Sequence, residues 1–218
     1  MRKCSIQLAF NDSVSEIARV VPYLSSYKHI IIEAGTPLLK KEGMGAIREI
    51  RRYWRGQICA DLKINDGAEG EVLMAKEAGA TSVTAMGNSS KETLQIFVDS
   101  CKKLGIISVI DMMNNPNPLK TLWKSNVTPD VVFIHRGRDE ENAFGKILQY
   151  KDVAKIKGKW DIEVGAAGGI DEKELQSAIF NSADIVVVNI VQPGSPWKGI
   201  VFDENFNTSL QRFLRFVE

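Results

Sequence analysis

Residues 29–35 read His29-Ile30-Ile31-Ile32-Glu33-Ala34-Gly35, and their pattern decides the fold. Three successive isoleucines without polar alternation suit a parallel strand buried on both faces, since helices pack on either side of such a sheet. The run stops at a carboxylate and a glycine, so an ionisable group stands where the chain leaves the strand. Short apolar runs of this kind recur at 5–10, 58–63, 81–86, 106–112, 130–135, 162–167 and 184–189. Helical signals lie between them. Ser13 with Glu16 forms a capping-box pair for a helix over 14–24, and Asp171 with Glu174 forms another. Residues 43–54 place Ile47 and Ile50 on one face and Arg48, Arg51 and Arg52 on the other, as an amphipathic helix does. Further helices are expected at 68–78, after Gly87-Asn88-Ser89-Ser90 as far as Lys103, at 119–124, at about 147–156 behind a polar loop, and at 205–216. Thr36-Pro37 reads as a loop. Gln192-Pro193-Gly194-Ser195-Pro196-Trp197-Lys198-Gly199 is an unusual tract before the last helix.

Strand and helix thus alternate about eight times in 218 residues. That rhythm and length predict the α/β class and a (β/α)8 TIM barrel, with residues 1–218 as one domain. A doubly wound open sheet competes. Its glycine fingerprint would follow the first strand, whereas the glycine pair here, Gly168-Gly169, follows the seventh. Lys and Arg number 28 against 27 for Asp and Glu, a net charge of +1, which argues against nucleic acid or a membrane surface as partner. Cys4, Cys59 and Cys101 are odd in number and lack metal-ligand spacing, so they read as reduced core residues of a cytoplasmic protein. Met1-Arg2-Lys3-Cys4 leads straight into a strand-like run, with no signal peptide expected, and no apolar stretch approaches the ~18 residues of a membrane span.

In a barrel of this kind catalytic groups gather at the carboxyl ends of the strands. The sequence puts Asn11, Glu33, Asp61, Lys63, Asp111, His135 and Gly168-Gly169 there. Any one of them could be a helix cap or a structural ion pair, but together they point to a site. In Ala60-Asp61-Leu62-Lys63-Ile64-Asn65-Asp66-Gly67, residues two apart share a strand face, so Asp61 and Lys63 project side by side and Asp66 falls in the turn. Glu33 and Asp61 are hard oxygen donors on neighbouring strands, suited to Mg2+. Lys63 could neutralise a developing oxyanion, and His135 stands where a proton shuttle is needed. His29 begins a strand at the opposite end and is given no role. The Gly168-Gly169 backbone suits a phosphate.

The run 60–66, with Glu69-Gly70-Glu71, Ala75-Lys76-Glu77-Ala78-Gly79-Ala80 and Val83-Thr84, resembles the orotidine-monophosphate-decarboxylase superfamily. Glu33-Ala34-Gly35-Thr36-Pro37 is similar to the magnesium-dependent branch of 3-hexulose-6-phosphate synthases and 3-keto-L-gulonate-6-phosphate decarboxylases. The resemblance covers roughly residues 5–190. It implies a homodimeric barrel in which Glu33 and Asp61 hold Mg2+ beside the enediolate of a phosphorylated ketopentose. Lys63 would support that intermediate, Asp66 would reach into the partner's site, and His135 would move protons. Asp111 and Ala167 are synthase-like, which favours an aldolase joining formaldehyde to ribulose 5-phosphate. His135-Arg136-Gly137-Arg138-Asp139 looks like the decarboxylase motif and makes Arg138 the mark of the alternative. Two departures stand out. Asn11 occupies a position where the family has Asp, and Asn189-Ile190 one where it has Gly-Arg or Gly-Gly; any arginine fork is then absent and the side chains are expected to crowd the site, so either the phosphate subsite is remodelled or the substrate has changed. A diverged barrel with a changed substrate or a binding role is the second alternative.

Overall fold

The computed structural model describes residues 4–24, 27–141 and 147–217. The reading of residues 1–3 as the lead into the first strand, and most of the polar loop expected after Asp139, lie outside them. Eight parallel strands form the wall: β1 (Ser5–Phe10), β2 (Ile30–Ala34), β3 (Gln57–Ile64), β4 (Ser82–Met86), β5 (Ile107–Asp111), β6 (Val131–His135), β7 (Glu163–Ala167) and β8 (Ile185–Val191). They neighbour one another in chain order, and β1 also pairs with β8, Ile6 against Val186 and Ala9 against Asn189. The sheet is therefore closed, and an open doubly wound sheet is excluded. The fold is a (β/α)8 barrel.

The strand period of two sorts the side chains. Ile6, Leu8 and Phe10 of β1 and Ile30 and Ile32 of β2 face the helices, joining a core that includes Leu38, Ile47, Ile50 and Phe97. Ala9, Ile31, Cys59, Val109, Phe133 and Val187 face inward and plug the barrel. The plug is tight: a Cβ on Gly165 would lie 2.4 Å from the Phe133 ring. Above the plug, toward the strands' carboxyl ends, the inward positions turn polar.

The helices are α1 (Val14–Val20), α2 (Thr36–Glu42), α3 (Met44–Tyr53), α4 (Ala68–Ala78), α5 (Lys91–Leu104), α6 (Pro118–Ser125), α7 (Arg138–Glu141), α8 (Lys151–Lys157), α9 (Glu172–Phe180) and α10 (Phe206–Leu214). Several expectations shift. Thr36-Pro37 starts α2 rather than a loop, proline being preset for a first helical turn. The helix expected over 14–24 tightens at Val21–Leu24 into a 3-10 turn around Pro22, and Ser13 makes no side-chain cap bond. Asp171 does cap α9, accepting from the Glu174 N–H at 2.9 Å. The segment from Ile147 is not helical until Lys151, and the last helix is shorter at both ends than 205–216. The unusual tract after β8 leads into an unforeseen short strand, β9 (Ile200–Val201), which pairs with β8 through Ile190 and Val191.

The three cysteines are free thiols; burial pushes those of Cys4 and Cys101 up to about 12, which makes them poor nucleophiles. Among the described residues no helix is long and apolar enough to cross a membrane.

Candidate active site

Register alone brings the polar residues together. With Ala9 opposite Glu33, and Glu33 opposite Cys59, the next inward positions on β3, Asp61 and Lys63, rise above the plug. Asp111 ends β5 and His135 ends β6. These side chains line a cleft of about 270 Å3 together with Asn11, Arg138, Gly168, Gly169 and Asn189. The β3–β4 register slips between Ala60 and Ile64, and Lys63 adopts φ 50°, a left-handed conformation rare outside glycine. Its backbone N–H is taken by Thr84 Oγ1 at 2.9 Å. The bulge aims the Lys63 ammonium into the barrel, where it donates to Asp61 Oδ1 at 3.1 Å and to Asp111 Oδ2 at 2.6 Å.

Asp111 is the hub. Its carboxylate accepts from Lys63, from the Met113 N–H at 2.9 Å and from His135 Nδ1 at 2.8 Å. Burial alone would raise this carboxyl, but His135 and Lys63 hold it well below the usual carboxylate range. Burial likewise works against the Lys63 ammonium, yet Asp61 and Asp111 outweigh it and hold its pKa above the ordinary lysine value. A carboxylate only accepts, so Nδ1 of His135 carries the hydrogen, leaving Nε2 the basic nitrogen of the ring.

Glu33 behaves oppositely. Burial first, and the charge of Asp61 second, push its carboxyl up to about 8, against the opposing pull of the Gln7 amide and Lys63. Gln7, from the layer below, donates to Glu33 Oε2 at 2.5 Å. Two buried carboxylates short of positive charge fit a hard divalent cation. Among the described residues no group of three or more His, Cys, Asp or Glu could hold a metal ion.

At the far side of the cleft, Gly168 and Gly169 have φ 99° and 63°. A Cβ on Gly168 would fall 1.9 Å from the Arg136 carbonyl oxygen. Gly168→Ala is therefore expected to cost more than about 3 kcal/mol from strain and overlap together, read as a lower midpoint in urea unfolding. Arg136, almost fully buried, donates to the carbonyl oxygens of Gly168 at 3.1 Å and Gly169 at 3.3 Å, which ties down the loop. Asn11 and Asn189 meet across the β1–β8 seam, Nδ2 to Oδ1 at 3.3 Å.

Two candidates fall elsewhere. Ile190 is 1% exposed and packs outward among the helices, because it follows inward-facing Asn189 by one residue. It does not crowd the cleft. Asp66, expected to reach toward a second copy rather than into this cleft, is exposed in the β3–α4 turn and does not line the cleft.

Four further residues shape the site. Thr36 donates from Oγ1 to Asp61 Oδ2 at 2.7 Å, Thr84 donates to Asp61 Oδ1 at 2.9 Å, Gln7 holds Glu33, and Arg136 holds the glycine loop. A polar residue at an inward position of an apolar strand was the available signal for Gln7 and Thr84. Thr84→Val strands the Lys63 N–H and one acceptor of Asp61, so a cost of about 1–3 kcal/mol is expected, seen as a fall in Tm of roughly 2–12 °C.

Residues 6–189 match the model of the Orotidine 5'-phosphate decarboxylase / HUMPS family. The chain is 36% identical over 185 residues to the bifunctional enzyme Fae/Hps of Methanothrix thermoacetophila, covering 84% of this chain and 47% of that one. The Fae/Hps enzyme of Methanocaldococcus jannaschii is 39% identical over 163 residues, covering 73% and 40% respectively. The chain thus spans about half the length of the curated relatives it matches. Among solved structures, 3-hexulose-6-phosphate synthase from Salmonella typhimurium superposes with TM-score 0.83 at 25% identity, covering 98% of both chains. The 3-keto-L-gulonate-6-phosphate decarboxylase from Vibrio cholerae shares the fold at TM-score 0.74 and 22% identity, over 99% of this chain and 97% of that one. With a family model matched over residues 6–189 and relatives 36% and 39% identical, this chain belongs to the orotidine 5'-phosphate decarboxylase / HUMPS family.

Proposed function

We propose that the chain is a Mg2+-dependent lyase of the aldolase type, joining formaldehyde to the enediolate of D-ribulose 5-phosphate as 3-hexulose-6-phosphate synthases do. One observation carries the chemistry: Lys63 and His135 converge on the buried Asp111 beside the Glu33–Asp61 pair. The relatives named Fae/Hps and the neighbour named 3-hexulose-6-phosphate synthase support this branch over the decarboxylase.

In this reading the phosphate lies against the Gly168-Gly169 backbone and C1 of the sugar lies toward His135. Nε2 of His135 takes the C1 proton, and Asp111 stabilises the resulting imidazolium through Nδ1. Lys63 donates to the enediolate oxygen as charge develops, within a pocket that orders it beforehand. The electron pair at C1 then forms the bond to the formaldehyde carbon, and the aldehyde oxygen takes the proton back from His135. Glu33 and Asp61 are the residues that would hold Mg2+, which when bound supplies positive charge beside the sugar's oxygens.

We read the enzyme as a cytoplasmic homodimer of single-domain subunits. Asp66 opens into α4, whose Leu73 and Met74 are 42% and 47% exposed, an apolar face suited to a second copy. Asp66 would then complete the partner's cleft.

The test is hydrogen exchange in heavy water followed by NMR. Ribulose 5-phosphate is expected to exchange its C1 proton in the presence of Mg2+ and to stop when chelator is added. Absence of exchange with both ribulose 5-phosphate and xylulose 5-phosphate rejects the reading.

A further inference from the structure

We infer that Trp197 is a positioning residue, holding Arg138 at the mouth of the cleft as the guanidinium that reads the substrate's phosphate. It rests on the reading of the substrate as a phosphorylated sugar. A phosphate entering a cleft that already holds Glu33, Asp61 and Asp111 requires compensating positive charge. The end of β8 gives the cleft only the neutral Asn189, since Ile190 points outward. Lys63 is bonded to Asp61 and Asp111 and in this reading serves the enediolate oxygen rather than the phosphate. Arg136 turns to the carbonyl oxygens of Gly168 and Gly169. Among the described residues lining the cleft, the guanidinium left to serve it is that of Arg138, the first residue of α7.

Among the described residues the partner of Arg138 is aromatic: its Cζ lies 5.1 Å from the centroid of the Trp197 ring. That choice has a chemical consequence. A carboxylate would occupy the guanidinium's N–H donors, whereas a ring face orients the planar fork and leaves those donors for a phosphate. Trp197 belongs to the tract between β8 and β9, and that tract is fixed along its length. Gln192 at its start donates to the buried Glu16. Lys198, next to Trp197, bonds Asp171 Oδ2 through Nζ at 2.9 Å, and its backbone N–H reaches Glu141 Oε1 at 3.3 Å. Its carbonyl accepts from Asn189 Nδ2 at 3.3 Å. Gly199 lies so near β8 that a Cβ there would come within 2.2 Å of the Asn189 carbonyl oxygen. The strap that departs from the family pattern is thus the part that sets the guanidinium in place. The end of β8 gives the cleft no guanidinium, and α7 supplies one through Arg138.

The experiment is isothermal titration of the full chain with inorganic phosphate and with ribulose 5-phosphate, for the wild type, Arg138→Gln, Trp197→Ala and Trp197→Phe. Arg138→Gln is expected to weaken both ligands by roughly 10-fold or more, as loss of a charge-assisted fork does. Trp197→Ala is expected to weaken both by roughly 3- to 10-fold, and Trp197→Phe to stay within about 2-fold of wild type, since a smaller ring still offers a face. Unchanged phosphate affinity in Arg138→Gln or Trp197→Ala overturns the inference. So does a Trp197→Phe variant as weak as Trp197→Ala, because shape rather than the ring face would then be what matters. C1 exchange measured on the same proteins separates the two readings. Phosphate affinities that follow the expected order in a wild type that exchanges nothing leave the positioning role standing and reject the aldolase.

Discussion

Asn in place of Asp111 is expected to lower Mg2+-dependent C1 exchange by about 10³- to 10⁴-fold, the scale seen when a buried carboxylate behind a catalytic histidine is made neutral. The reason is double. Asp111 fixes which His135 nitrogen carries the hydrogen, through contacts of 2.8 and 3.0 Å to Nδ1. An amide can present either an oxygen or an N–H there, so the ring loses its enforced tautomer. Asp111 also shares Lys63 with Asp61, and without it the ammonium has one carboxylate fewer at bonding distance. Removing one partner from a buried network costs about 3–5 kcal/mol. At 2–4 °C per kcal/mol for a chain of this size, Tm should fall by roughly 6–20 °C. Rates are therefore compared well below the variant's own midpoint. An Asp111→Asn protein that exchanges within about 10-fold of wild type would remove His135 from the proton-transfer role.

The barrel was legible because its signal is redundant: eight apolar runs with helices between them survive an error at any one boundary. Much of the site was legible for the same geometric reason. Asp61 and Lys63 were expected side by side from the period of two, and they form an ion pair at 3.1 Å. What was missed follows from rules that were available but outweighed. The same period sends Ile190 outward once Asn189 faces in. Pro37 in the first turn of α2 is a helix start, but after the Glu33-Ala34-Gly35 strand end it read as loop. Thr36 reads as an ordinary loop residue, and the inward position of Thr84 on its strand signals a polar contact without naming its partner. Only the register shows that both hydroxyls close on Asp61. The bulge at Lys63 has no marker at all, since lysine gives no warning of a positive φ. The strap reads as unusual in sequence, yet its contact with Arg138 joins residues some sixty positions apart, and local pattern carries no information on that scale.

Glu33→Gln is expected to have opposite effects on catalysis and on the metal-free protein's stability, and the sign follows from linkage. The Glu33 carboxyl is raised from 4.5 to about 8 in the folded chain, so the folded state holds a proton that the unfolded state gives up in that window. Stability tied to this proton is complete below pH 4.5 and is lost as pH rises through about 8. Metal-free wild type should therefore unfold at a lower temperature near pH 9 than near pH 6, by an amount that Glu33→Gln largely abolishes. Mg2+ favours the ionised carboxylate and competes with the proton. Its stabilisation of wild type should thus be larger at the higher pH, and Glu33→Gln should show almost none at either. Catalysis moves the other way, with C1 exchange in the variant expected to fall by at least about 10³-fold, because charge stabilisation beside the sugar's oxygens is lost. Calorimetric melting with and without Mg2+ at the two pH values reads the first effect and NMR exchange the second. A wild type whose Mg2+ response does not grow with pH, or a Glu33→Gln protein that still responds, would place the cation elsewhere than on the Glu33–Asp61 pair.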